Sequence, residues 1–390
     1  MTREENTMKK TKSKKTITII LVLALLCASV GAYFAKRYYD KVQEEKAAEI
    51  ARIEAEKRAA EAEAARQAQI EEARRIKEDR RTRNPLTGLK MNENAIGKRP
   101  VAIMVENTPD ARPQWGMDDK NYSPDIILEA EVEYGITRTM WMFADFTSLP
   151  KIIGPIRSAR PPFVKFSELF DTIYVHWGQS DSAGAYVGAS TIIAQDGVNN
   201  INQLEYRGRV DLYGRSKERN VAIEHTGIIY SKNLPTAIDE YGYRTELNPE
   251  RFTSFEFTDT PLPMSDVACN EINVTISDRS WTKHWKYSES DKLYHTDDFE
   301  NNLTRENILV LVDYTEYITK PMAHFSYCNY MFAGGEGKLA SQGTVKDIVW
   351  SIEDGKLVIK DVDGRTVYFN RGKTWIGWIS ANYGGRIDIK

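Results

Sequence analysis

The chain is poor in the residues that build redox and metal chemistry. Its 390 residues include three cysteines, Cys27, Cys269 and Cys328, and no Cys-x-x-Cys pair. Zinc-ribbon and thiol-redox sites are therefore excluded. Cys269 and Cys328 are expected as two buried free thiols, with one disulfide as the alternative in an oxidising compartment. Histidine is scarce too, at five residues: His176, His225, His284, His295 and His324. There is no His-Glu-x-x-His, no P-loop, no nucleophile elbow and no glycine-rich dinucleotide fingerprint. No cofactor and no metal is implied. Positive charge is not in excess: the formal net charge of −3 argues against nucleic acid.

Two stretches lack something else. Thr16 to Ala35 runs twenty residues without a charge, long enough as a helix to cross the ~30 Å hydrocarbon core. Lys9, Lys10, Lys12, Lys14 and Lys15 precede it, so residues 1–15 are expected to stay cytoplasmic and the rest to lie outside. An uncleaved single-pass anchor in the cytoplasmic membrane is expected, with a cleaved signal peptide as the alternative. A form lipidated at Cys27 is a further alternative, although Leu26 stands where a small residue would precede it. Residues 36–83 then form a charged stalk. Asp40 to Arg83 contains no Gly or Pro, 11 alanines, 12 basic and 12 acidic residues, a composition that favours helix. Glu54/Arg58, Glu71/Arg75 and Asp79/Arg83 are acid-first (i, i+4) pairs. Large apolar residues are too few for a regular coiled-coil seam. A single solvent-bridging helix is expected, with weak dimerisation as the alternative.

Asn84-Pro85 ends that helix, because the residue before Pro avoids the α region. The head beyond it is long enough for two cores and reads as a mixed α/β or α+β body: an α/β domain at 84–248 and a β-rich domain at 249–390. Strands are expected at 99–107, 135–145 and 172–178, and a helix at 161–170, where Phe163, Phe166 and Phe170 recur at helical spacing. A linker is expected at 245–262, around Pro249 and Pro261. Further on, 308–313 reads as a buried strand. The strands 348–352, 356–361 and 365–370 read as a meander joined at Asp354-Gly355 and Asp363-Gly364, which TWIGWIS (374–380) closes.

Chemistry is most concentrated in GPIRSARPP (154–162). Proline fixes φ and glycine relaxes it, so this is a specifically shaped turn. Arg157 and Arg160 present planar forks suited to one carboxylate or phosphate; the alternative is that both pair with acids of their own domain. Glu129, Glu131 and Glu133 would share one face if that segment is extended. His176, at the end of an apolar strand, is the best acid/base candidate, and a hydrogen-bonded structural histidine is the alternative. His225 follows the basic run Arg215, Lys217 and Arg219 and joins an anion pocket or caps a turn. Ser158 and Ser180 have no base at a telling spacing. No catalytic residue is established.

RPVAIMVENTPDARPQ (99–114), PDIILEAEVEYGITR (124–138), KIIGPIRSARPPF (151–163) and IYVHWGQS (173–180) resemble the DUF3048 family, and GKTWIGWIS (372–380) its C-terminal domain. The resemblance runs from about Asn84 to the C-terminus. It implies a Gram-positive-type cell-envelope protein, often a lipoprotein, with no assigned reaction. The family's pattern falls on Asn107, Arg112, Glu129, Glu133, Arg138, Arg157, Ser158, Arg160, His176 and His225. Glu106 departs from the usual Asp, and Trp177 from a small residue. The expected function is a binding or accessory module for an anionic or glycan wall component or a wall-synthesis protein. The alternatives are an enzyme acting on a wall glycopolymer or lipid-linked phosphate, and a scaffold whose arginines pair internally.

Overall fold

The computed structural model describes residues 3–80, 82–118, 122–133, 135–319 and 326–390, and gives no side chains for 3–18 and 72–80. His324 and the side chains of Arg75 and Asp79 thus lie outside the described residues. The chain divides into two compact units, residues 1–75 and 76–390.

The first unit belongs to one helix, α1 (Arg3–Arg80), which covers the expected anchor and the expected stalk as far as Arg80. From Ile19 onward its most apolar window has a mean hydropathy of 2.2 and buries none of its residues within the chain. By length and composition this helix is able to cross a membrane. In its polar part Glu54 meets Arg58 at 3.7 Å, as the spacing predicts, and Arg52 meets Glu56 at 3.0 Å. Both pairs are exposed and contribute only tenths of a kcal/mol each.

The second unit is built on one mixed sheet. Its strands are β1 (Val101–Glu106), β2 (Ile126–Glu133), β3 (Ile136–Phe143), β4 (Ile173–His176) and β5 (Asn200–Asn202), then β6 (Asn307–Asp313), β7 (Gly335–Ser341), β8 (Thr344–Glu353), β9 (Lys356–Asp361) and β10 (Thr374–Ser380). Their order across the sheet is β9-β8-β7-β6-β10-β2-β3-β1-β4-β5. The hairpin Thr315–Thr319/Ser326–Tyr330 joins at the end of β2 through Tyr327 and Glu133. β3 is antiparallel to β1 and β2, while β4 is parallel to β1 and β10 is parallel to both β2 and β6. The carboxyl ends of β1, β2, β4, β6 and β10 therefore share one edge.

Two cores do exist, but they are the two faces of this sheet and not two halves of the sequence. On one face Ala102, Met104, Leu128, Ala130 and Met140 pack with Phe163, Phe166, Phe170 and Trp378. The helices α2 (Pro161–Glu168) and α3 (Ala189–Asp196) cover that face. On the other, Ile103, Val105, Ile127, Trp141 and Trp375 pack with Ile272, Val274 and Trp285. A second sheet, Leu303–Arg305, Leu293–Thr296, Thr282–Ser288, Glu271–Thr275 and Arg386–Ile389, covers it beside α4 (Leu234–Glu240). Strands buried on both faces carry continuous apolar runs, as β1 does.

Three expectations are corrected here. TWIGWIS does not close a meander: it lies mid-sheet, every residue buried, parallel to both neighbours. Of the expected strand 365–370, Tyr368–Phe369 pairs with Glu256–Phe257, and Thr366 alone bridges back to Lys360 of the meander. The segment 245–262 is no free linker, because Phe252, Phe255 and Phe257 are each 4% exposed and belong to the first core. Cys269 and Cys328 are free, buried, and in opposite cores.

Candidate functional site

The site grows from a gap in the sheet. β1 and β4 pair only over Val101–Ile103. Beyond that they part, and GPIRSAR fills the space. Arg157 N–H bonds the Met104 carbonyl at 3.0 Å and Glu106 N–H bonds that of Pro155 at 2.9 Å. On the other side Trp177 N–H reaches the Arg157 carbonyl and Ala159 N–H the Gly178 carbonyl. Gly154 is required by close approach: a Cβ there would stand 2.6 Å from the Gly227 carbonyl oxygen. These backbone bonds fix both arginines at the carboxyl ends of β1 and β4, the edge where open α/β sheets bind ligands.

A second device re-aims Glu133. In β2 the register with β3 shifts between Glu131 and Glu133. An extra residue in one strand turns the residues beyond it to the other face. Glu129 and Glu131 thus stay on one side while Glu133 joins Arg138 on the opposite one, so the three carboxylates do not share a face as the period-two spacing predicts. Glu131 accepts from Tyr317 Oη at 2.7 Å and from Gly135 N at 2.6 Å.

Glu106, Thr108, Glu133, Arg138, Arg157 and Arg160 line a cavity of about 300 Å³. Glu133 accepts from Arg160 Nε at 2.7 Å and from Arg138 Nη2 at 3.3 Å. Arg138 Nη1 also donates to the Ser158 carbonyl at 2.7 Å. Burial pushes the Glu133 carboxyl up, but the guanidiniums of Arg138 and Arg160 overcome it and hold it below the usual carboxylate value. Burial, with the like charge of Arg160, lowers Arg138 to about 10, so it stays charged at neutral pH. Glu106 is shared differently: Arg157 Nη2 stands 3.4 Å from it and His225 Nδ1 2.9 Å. Arg157 is the most accessible of the three arginines, its side chain 27% exposed against 7% for Arg138 and 10% for Arg160. Three guanidiniums face two carboxylates, which leaves one positive charge over when His225 is neutral.

The other predicted residues are elsewhere. Asn107 and Glu129 lie on the opposite face of the sheet, where Asn107 Nδ2 donates to Glu129 at 2.8 Å and Lys283 pairs with it at 3.5 Å. Arg112 donates to the Asn107 carbonyl at 2.9 Å. This buried network clasps the second sheet to the first. Ser158 offers its carbonyl to Arg138, and its hydroxyl donates to the Trp177 carbonyl at 3.0 Å. His176 is fully buried, with Nδ1 2.8 Å from the Gly178 carbonyl and Nε2 3.0 Å from Asn200 Oδ1. Burial lowers its pKa to about 4. It does not line the cavity, and its nitrogens are spent on the loop after β4 and on the start of β5; the acid/base expectation is corrected to a structural one. Among the described residues no group of three or more His, Cys, Asp or Glu is placed to hold a metal. Sequence reasoning passed over Glu106 as a site residue. Its signal was present: a lone acid ending the apolar run of β1.

Comparison with known proteins agrees with the family resemblance. The domains described as "Protein of unknown function (DUF3048) N-terminal domain" and its C-terminal counterpart match residues 86–244 and 271–376. The chain is 30% identical over 301 residues to "Putative lipoprotein YerB" of Bacillus subtilis (strain 168), covering 75% of this chain and 84% of that one. It superposes on the crystal structure of the YerB protein from Bacillus subtilis with a TM-score of 0.62 at 25% identity, covering 78% of this chain and 98% of that chain.

Proposed function

The chain belongs to the DUF3048 family, and from that premise we propose that it is a membrane-anchored envelope protein whose cavity binds an anionic group of a cell-wall polymer or of a wall-synthesis protein. The carrying observation is charge: among the described residues that line the cavity, Arg138, Arg157 and Arg160 face two carboxylates, Glu106 and Glu133. A desolvated cation draws an oxyanion more strongly than one in water does. The apolar stretch of α1 and the lipoprotein name of the relative support the anchored location. The basic N-terminal flank supports a cytoplasmic N-terminus and a head on the wall side.

The test is co-sedimentation of the full chain, in detergent, with purified sacculi that carry or lack their anionic polymers. Wild type is expected to sediment only with the former, and Arg157→Ala to stay in solution. Equal sedimentation of both proteins overturns the reading. One observation favours a second reading, a scaffold: each arginine also meets a carboxylate or carbonyl of the protein itself. A scaffold predicts lost stability in Arg157→Ala and no binding by wild type.

A further inference from the structure

We propose that the cavity selects a singly charged oxyanion, a phosphodiester or a carboxylate, over the dianion of a phosphate monoester. The inference rests on the anion-binding reading above and narrows it to a charge class.

Buried charge is tolerated only when balanced. Glu133 is consumed by Arg138 and Arg160, both at most 10% exposed. Glu106 accepts from Thr108 Oγ1 at 3.0 Å and faces Arg157 and His225. The remaining positive charge thus belongs to Arg138 and Arg160 around their one carboxylate, while Arg157, matched by Glu106, has the accessible fork. Its Nη1 donates only to the Glu224 carbonyl, at 3.2 Å, which leaves N–H groups of this fork for a ligand. One negative charge neutralises the cavity. A second would stand uncompensated beside the carboxylates of Glu106 and Glu133. The volume of about 300 Å³ is at the lower end of small-ligand pockets, so an oxyanion with a substituent is accommodated. The groups that face His225 are Glu106, and Asp110 at 3.9 Å; protonating the ring would add a positive charge, so the balance holds where it is neutral.

The experiment is calorimetric titration of the full chain in detergent with dimethyl phosphate, acetate and methyl phosphate. It is done at pH 8, above the ~6 second pKa of a monoester. Wild type is expected to bind dimethyl phosphate or acetate roughly tenfold tighter than methyl phosphate, and which of the two it prefers identifies the source of the anion. Glu106→Gln adds one net positive charge and is expected to reverse the order. Asp110→Asn, beside His225 at a position 78% exposed, keeps the test open if Glu106→Gln does not fold, and is expected to narrow the ratio. Methyl phosphate bound as tightly as the monoanions by wild type overturns the inference and leaves the anion reading standing. So does an order unchanged in a folded Glu106→Gln or a ratio unchanged in Asp110→Asn. Binding of none of the three overturns both.

Discussion

Replacing Glu133 with Gln keeps the shape of the side chain and removes the charge that two buried guanidiniums share. Arg160 Nε lies 2.7 Å and Arg138 Nη2 3.3 Å from that carboxylate, and both would be left side by side without a counter-charge. Removing one partner of a buried pair costs about 3–5 kcal/mol. For a unit of this size that lowers the melting temperature by roughly 5–10 °C. Denaturant unfolding followed by tryptophan fluorescence reads it, because Trp141, Trp375 and Trp378 are at most 1% exposed in this sheet. A double variant, Glu133→Gln with Arg160→Met, removes one stranded cation and recovers part of the loss. Acidity gives a second readout. Glu133 titrates in the fold below its ordinary value, so its stabilisation is complete above pH ~4.3 and is lost as pH falls through the folded-state pKa. The gap between wild type and variant therefore closes at the acid end. A gap below about 1 kcal/mol at pH 7, or a double variant less stable than the single, refutes the shared-carboxylate account.

Gly154→Ala places a methyl group 2.6 Å from the Gly227 carbonyl and 3.0 Å from Ile228 Cγ2. Neither backbone nor β-branched side chain yields easily, so a loss of about 1–3 kcal/mol is expected in thermal unfolding, with anion binding weakened through the displaced Arg157. For His176 the folded pKa of about 4 lies below the ordinary value near 6.5. The unfolded chain then binds the extra proton between those values, and stability falls as pH drops from ~6.5 to ~4 by up to roughly 3 kcal/mol. His176→Gln is expected to flatten that limb of the stability-against-pH curve; an unchanged limb would assign it to other groups.

Much of this was legible from residue pattern because the strands are apolar on both faces. RPVAIMVEN, GITRTMWMF and TIYVHWG were readable as β1, β3 and β4, and Phe163, Phe166 and Phe170 at helical spacing as α2. Pairing was not legible. TWIGWIS is followed by no hairpin partner in sequence, and nothing local says that its neighbours are β2 and β6, some 240 and 60 residues earlier. The facing of Glu133 was hidden for a different reason. A strict alternation puts it with Glu129 and Glu131, and only the one-residue irregularity before it turns it to the arginines. The arginine pair itself was visible in GPIRSARPP. The carboxylate that Arg157 faces, Glu106, and the His225 ring that shares it, 119 residues apart in the chain, were brought together by topology alone.

The mid-sheet position of β10 also fixes the order of events when the protein is made. Residues 374–380 are synthesised after both β2 and β6, yet they supply the strand between them. Until they arrive, both of those strands present unpaired apolar edges, which are templates for pairing with other chains. The sheet closes by a pairing across much of the chain, a step of high contact order and correspondingly slow. A ribosome that stops before Thr374 leaves two open half-sheets, each with a strand edge that only β10 covers in the finished fold.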